Sequence, residues 1–404
     1  MNLAKKMFLA AVAFGFLAMS CGGSSGKTLE LWTVFTGADG TTFTKMVEAY
    51  NATNPDYKVK HVPMQEGTMY TRLQLAVSSG RGVPDMAINH VERLPLYQEE
   101  GRLVDLAPYL AQSNIKSENY IPKAWEMGEI NGGHYGIPLD VHSYILYVNW
   151  DLYEKYGLSD LDDGVLTWDE VVATAQTVKD DGIIPIGLGW LRVIFLASYA
   201  QLGGTLSENG VDPSFDNDIA RQAMEHYRNL VSSGITNRDG EDPWRMFLGG
   251  DVLYMPEGAW MLNNVKTAGL NTRSFDFPVF SPDAKGNWTS SHNFTVPVKP
   301  NLDPERIVAS LEFINWLGEH SETWSEAGHV PAHRGGQTEV FRNMPQAFLA
   351  DQNEELKIFG YKYYGHAVEA LDKVVGDIFF GKMDVDEGLR QAIQETKDRI
   401  AEGS

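Results

Sequence analysis

With a single cysteine in 404 residues, the chain cannot form an internal disulfide, so its fold must rest on packing. Positive charge is scarce as well: 33 Lys and Arg face 54 Asp and Glu, a formal charge of −21 at pH 7. Such a surface repels nucleic acid and anionic lipid, and no nucleic-acid partner is expected. Membrane-length apolar runs are missing too. The stretch Met7 to Met19 falls short of the ~20 residues a helix needs to cross a bilayer.

That short run has a different meaning in context. Lys5 and Lys6 precede it, and Leu17-Ala18-Met19-Ser20-Cys21 follows, with a small residue directly before the only thiol. A charged start, a short apolar stretch and a small-residue end are the marks of a secretory signal. Residues 1–20 are expected to be a signal peptide, Cys21 a lipidation site and residues 21–27 a polar tether. Ala18 stands where an aliphatic residue is usual. The expected product is an exported lipoprotein of the cell envelope, periplasmic or on the outer face of the cytoplasmic membrane, touching the membrane only through its lipid. Losing residues 1–20, with two lysines and no acid, takes the charge from −21 to −23.

The remaining stretch of about 384 residues exceeds what one core usually organises, which suggests two domains. At 43% hydrophobic and 11% aromatic the full chain can fill two cores, and its ten tryptophans are more than packing requires. Leu29 to Val34 reads as a strand, Phe43, Met46, Val47 and Tyr50 recur at helical spacing, and Thr36-Gly37-Ala38-Asp39-Gly40 reads as the turn between them. A strand at Lys58 to Val62, a helix around Tyr70 to Ser78 and a strand at Asp85 to Asn89 complete a βαβαβ unit with parallel strands. Further strands are expected at 145–148, 185–188, 252–255, 275–280 and 293–298. Thr167 with Glu170, Asp303-Pro304, and Asp384 with Glu387 mark helix starts. Extended, proline-bearing segments at Pro138-Leu139-Asp140-Val141-His142 and Phe277-Pro278-Val279-Phe280-Ser281 are the expected crossings between domains.

Catalytic and metal signatures fail in context. Gly22-Gly23-Ser24-Ser25-Gly26 matches a nucleophile elbow but lies in the tether. Gly26-Lys27-Thr28 ends like a phosphate loop, yet Cys21 stands where the first glycine belongs. Asp160 to Gly164 resembles a calcium loop with Val171 in place of the closing glutamate. His329 and His333 have zinc-like spacing, but Pro331 disfavours a continuous helix through them. No metal, cofactor or catalytic residue is expected.

The chain resembles bacterial extracellular solute-binding proteins of the carbohydrate-uptake class, which includes maltose-binding and glycerol-phosphate-binding proteins. The similarity is carried by Tyr50-Asn51, Asn54-Pro55, Pro84-Asp85, Tyr135-Gly136-Ile137-Pro138, Leu146-Tyr147-Val148-Asn149 and Thr167-Trp168-Asp169-Glu170. Later carriers are Gly258-Ala259-Trp260, Glu312-Phe313-Ile314-Asn315-Trp316-Leu317, and Trp324 through Ala327-Gly328 to Pro331-Ala332. It implies an α/β type II periplasmic-binding-protein fold: two α/β lobes around a ligand cleft, joined by hinge crossings. The lobes are expected at 28–139 plus 279–328 and at 140–278 plus 329–404.

Sugar binding asks for aromatic faces against the C–H faces of pyranose rings and for fixed polar groups on the hydroxyls. By the resemblance, Trp260 and Trp190 are stacking candidates and Asp39 is a hydroxyl-binding acid. His90 and Glu92 follow the third strand, Asp140 and His142 lie in the first crossing, and Asn263, Asn264, His292 and Asn293 are further polar candidates, with Tyr364 a late aromatic one. The expected function is sugar or oligosaccharide capture by lobe closure, with delivery to the permease subunits of an ATP-driven (ABC) importer, by a monomer without enzymatic activity. Alternatives are a secreted carbohydrate-active enzyme and a binding protein for a sugar phosphate or polyol phosphate.

Overall fold

The computed structural model describes residues 27–159, 161, 166–281, 283–284, 286–352 and 356–403. The expected signal peptide, Cys21, the tether up to Gly26 and most of the Asp160 to Gly164 turn lie outside these residues. Two sheets organise the chain. The first runs in the order Tyr57–Pro63, Lys27–Thr33, Met86–His90, His292–Thr295, Ile137–Pro138. Its first three strands are parallel and the last two antiparallel to their neighbours. Alternation along Lys27–Thr33 explains why helices cover both faces. Leu29 and Leu31 pack in one core with Phe43, Met46, Val47 and Tyr50 of helix Ala38–Ala52. Trp32 points the other way, onto Met69, Tyr70 and Leu73 of helix Glu66–Ser79.

The second sheet runs Leu356–Lys357, Asn287–Ser290, Asp140–Asn149, Val252–Gly258, Ile184–Ile186, and Thr272–Asp276 and Val330–Pro331 also pair with its long strand. All ten residues of Asp140–Asn149 are buried, as the near-continuous apolar run after His142 requires. Helices Trp168–Val178, Leu191–Gln201, Asp218–Ser232, Tyr364–Phe379 and Val385–Glu402 supply most of the core around it. Local start signals act as read. Thr167 and Glu170 form a reciprocal capping box, Asp303 caps a helix with Pro304 at its start, and the Asp384 side chain accepts from Asp386 and Glu387. Among the described residues no helix is long and apolar enough to cross a membrane.

The chain passes between sheets at Leu139, inside the first expected crossing. The second passage differs. Asn287–Ser290 pairs in the second sheet and His292–Thr295 in the first, so the change falls at Ser291 and not at Phe277 to Ser281. The latter segment stays with the second lobe because Val279 exchanges backbone hydrogen bonds with Leu166 and Trp168, and Phe277 packs into that core. The return is also later than residue 329. Ala347, Leu349 and Ala350 still pack in the first core, and Phe359 and Tyr361 pack in the second.

Candidate functional site

A cavity of about 350 Å³ lies between the lobes, walled by both sheets and by the strands that pass between them. The second lobe contributes aromatics. Trp260 sits edge-on to Trp190, with ring centres 6.1 Å apart, and to Trp288, 6.2 Å away. Trp260 can lie where it does because Gly258 has no side chain: a Cβ there would stand 2.2 Å from the indole ring. Trp190 is 53% exposed and holds a left-handed backbone (φ 47°) at the start of helix Leu191–Gln201. A bulky residue in that region is strained, and exposure of a large aromatic ring adds to the cost. Trp288 is fixed by an Nε1 hydrogen bond to the Tyr364 hydroxyl at 3.1 Å.

Polar groups come from the first lobe and the passages. Glu92 is 2% exposed; its Oε2 accepts from Ser290 at 2.8 Å, and Oε1 has no partner among the described residues. Burial pushes the Glu92 pKa up. A buried acceptor left without a partner costs about 1–3 kcal/mol. Asp39 lies in the first turn of helix Ala38–Ala52, one element later than the expected turn, and its Oδ1 accepts from Gly37 and Gly40. Burial raises its pKa too. His90 Nδ1 is 2.5 Å from the Tyr70 hydroxyl, and burial holds His90 well below the usual imidazole range.

At the passages, Asp140 Oδ1 meets His142 Nδ1 at 3.0 Å, while Oδ2 meets His292 Nδ1 at 2.8 Å and Trp324 Nε1 at 2.7 Å. Burial alone would raise the Asp140 pKa; the surrounding imidazoles and their hydrogen bonds overcome this and hold it well below the carboxylate range. Burial lowers the His292 pKa to about 4 and holds His329 well below the usual imidazole range.

The cavity brings together Asp39, His90, Glu92, His142, Trp190, Trp260, His292 and Tyr364 of the expected positions. Asp140 stands behind the wall, fully buried with its carboxylate engaged by other side chains. Asn293 is likewise buried and bonds to Ser291. Asn263 and Asn264 belong to helix Leu262–Ala268 and do not line the cavity, because a 3-10 turn at Ala259–Met261 redirects the chain after Trp260. His329 and His333 do not form a pair: His329 joins the Asp140 cluster, while His333 Nδ1 accepts from Gly335.

Sequence reasoning missed Trp288, Ser290, Arg93 and Arg192. Arg93 lies 3.8 Å over the Tyr70 ring, and Arg192 Nε donates to Asp372 at 2.8 Å. Glu66, Glu369 and Asp372 also line the cavity, so with Asp39 and Glu92 five carboxyl groups face two guanidinium groups. A neighbouring cavity of about 490 Å³ shares Trp190 and reaches Glu257, Asp242 and Trp244.

The family model described as bacterial extracellular solute-binding protein matches residues 36–323. The chain is 26% identical over 301 residues to the arabinooligosaccharide-binding protein of Bacillus subtilis, covering 65% of this chain and 68% of that one. It is 22% identical over 319 residues to the maltotriose-binding protein of Pyrococcus abyssi, covering 77% and 67%. Among solved structures, the GacH receptor of Streptomyces glaucescens superimposes with a TM-score of 0.79 at 19% identity, over 93% of this chain and 98% of the other. The substrate-binding protein Lmo0181 of Listeria monocytogenes, in complex with cycloalternan, gives 0.80 at 17% identity over 93% and 99%. At these identities the likeness is one of fold.

Proposed function

The chain belongs to the bacterial extracellular solute-binding proteins, and we propose that its solute is a neutral sugar or oligosaccharide, captured between closing lobes for an ABC importer. The observation that carries this reading is the interlobe cavity itself, where Trp190, Trp260 and Trp288 line one wall and Glu92, whose Oε1 has no partner among the described residues, lines another. Indole rings suit the apolar faces of a sugar, and fixed acceptors suit its hydroxyls. The named sugars of the relatives, arabinooligosaccharide and maltotriose, agree with it.

A phosphate ester fits less well. Five carboxyl groups against two guanidinium groups repel an anion, and Arg192 is already engaged by Asp372. We assign ligand contact to Asp39, His90, Glu92, His142, Trp190, Trp260, His292 and Tyr364, with Asp140 as the group that orients His142 and His292. The lobes would be 27–139 with 292–351, and 140–290 with 356–403, moving about Leu139, Ser291 and the return near residue 352. Both walls of the cavity come from one chain, which suits a monomer. Cys21 would carry the lipid that holds the exported protein at the membrane, and no catalytic step is assigned.

Thermal-shift screening against arabino- and malto-oligosaccharides, with glycerol 3-phosphate beside them, tests the solute class. A ligand that binds only the native state raises the melting temperature by mass action. A neutral sugar should do so, make the protein more compact in small-angle scattering, and be recovered unchanged. A response to glycerol 3-phosphate alone would sink the neutral-sugar reading; recovered fragments would indicate an enzyme. Compaction is expected because contacts to both lobes favour the closed state.

A further inference from the structure

We infer that Asp140, His142, His292 and His329 form a binding site for one divalent transition-metal ion of the zinc class, set where the chain passes between the lobes. One ligand atom from each of the four lies within 4.8 Å of the others, and all four residues are at most 5% exposed. Three imidazoles and one carboxylate are a nitrogen-rich donor set that suits zinc, nickel or copper, whereas calcium and magnesium ask for oxygen.

Two further features point to a cation. Among the described residues the buried Asp140 carboxylate has no Lys or Arg against it, and its ion-pair partners are the three imidazoles. Buried charges are ordinarily paired, and leaving one uncompensated is costly. His329 is 2% exposed, yet neither of its ring nitrogens has a hydrogen-bond partner among the described residues. Its Nδ1 stands 3.6 Å from Asp140 Oδ2, too far for a hydrogen bond. The ring is nevertheless held in place, stacked at 4.7 Å and 4° on Trp324. Trp324 also donates to Asp140 Oδ2, and the His292 backbone N–H donates to Oδ1, the kind of outer support that orients metal ligands.

The ligands come from separate passages. Asp140 and His142 begin the long strand of the second sheet, His292 begins the strand returning to the first, and His329 directly precedes Val330–Pro331, which pairs with Val141 and Asp140. An ion held there would tie together the strands about which the lobes move. His142 and His292 also line the sugar cavity, so metal and sugar binding should influence one another.

The test is calorimetric titration of the tag-free, chelator-stripped protein with Zn²⁺ alone, accompanied by thermal shift and by visible absorption with Co²⁺. One ion per chain, a higher melting temperature and the intense bands of four-coordinate cobalt are expected. His329→Gln should weaken Zn²⁺ binding at least about tenfold, and His320→Ala, an exposed histidine outside the cluster that stacks on Trp316, should not. Absence of saturable binding, or equal affinity in wild type and His329→Gln, overturns the site. Should His329→Gln fail to fold, the wild-type cobalt spectrum decides: six-coordinate, water-like absorption refutes it. Neither outcome depends on sugar, so failure here is distinct from failure of the solute assignment.

Discussion

Replacing Glu257 with Gln should flatten the pH dependence of stability. Glu257 lies in strand Val252–Gly258 with no exposure to solvent. Its Oε1 accepts from the Tyr144 hydroxyl at 3.0 Å and the Gly258 N–H at 2.8 Å, while Oε2 has no partner among the described residues. Burial raises its pKa from 4.5 to about 7, against the lowering effect of those two hydrogen bonds. The folded chain therefore holds this proton over a range in which the unfolded chain releases it. A raised folded pKa gives stability that is complete below about 4.5 and is lost as pH rises to about 7. At 1.36 kcal/mol per pKa unit, the loss is about 3 kcal/mol. Glutamine keeps an acceptor for Tyr144 and Gly258 but cannot ionise. Urea unfolding of both proteins at several pH values should show the wild type losing about 3 kcal/mol relative to Glu257→Gln between pH 4.5 and 7, with no further divergence above. Parallel curves would refute the argument and mean that water or movement relieves Glu257.

Gly258→Ala should keep the fold, because φ −66° and ψ 141° suit alanine, yet push the Trp260 ring from the cavity wall. Sugar affinity measured by calorimetry should fall at least about tenfold, about 1.4 kcal/mol, with unchanged circular dichroism. Asp85 binds Lys299 at 2.6 Å, Arg306 at 2.6 Å and the Glu30 N–H at 2.8 Å while only 6% exposed. Asp85→Asn should cost about 3 kcal/mol in urea unfolding at neutral pH. Burial opposes ionisation there, but these partners hold the Asp85 pKa below its usual value, so the wild-type advantage should vanish as pH falls through that lowered range. Cys21→Ala should move the protein from the membrane fraction to the soluble one; unchanged fractionation would remove the lipid-anchor assignment.

Features fixed by neighbours in sequence were legible. The Thr167–Glu170 box, the Asp303-Pro304 start and the first βαβαβ unit follow from spacing that acts within a few residues. His90 and Glu92 could be expected beside the cavity they line because a parallel strand order puts the end of the third strand at the cleft. Asn287–Ser290 was missed: both of its faces are buried, so polar and apolar residues follow no period of two. With it went Trp288, Ser290 and the true position of the second passage. Asn263 and Asn264 were drawn in by closeness to Trp260 along the chain, which a single 3-10 turn undoes. His329 could be joined to Asp140 only by tertiary contact, across 189 positions of sequence.

The fourth strand of the first sheet, His292–Thr295, arrives after the second sheet has taken nearly all its strands. A nascent or N-terminal fragment ending before Ser291 therefore leaves Met86–His90 as a bare edge, with unpaired amides on a buried apolar strand. The lobe that begins first cannot be finished first. Such non-local closure slows folding and prolongs exposure of sticky intermediates. Limited truncations from the carboxyl end should consequently aggregate well before they reach the opening domain, and an isolated piece spanning only residues 27–139 should not persist as a folded unit.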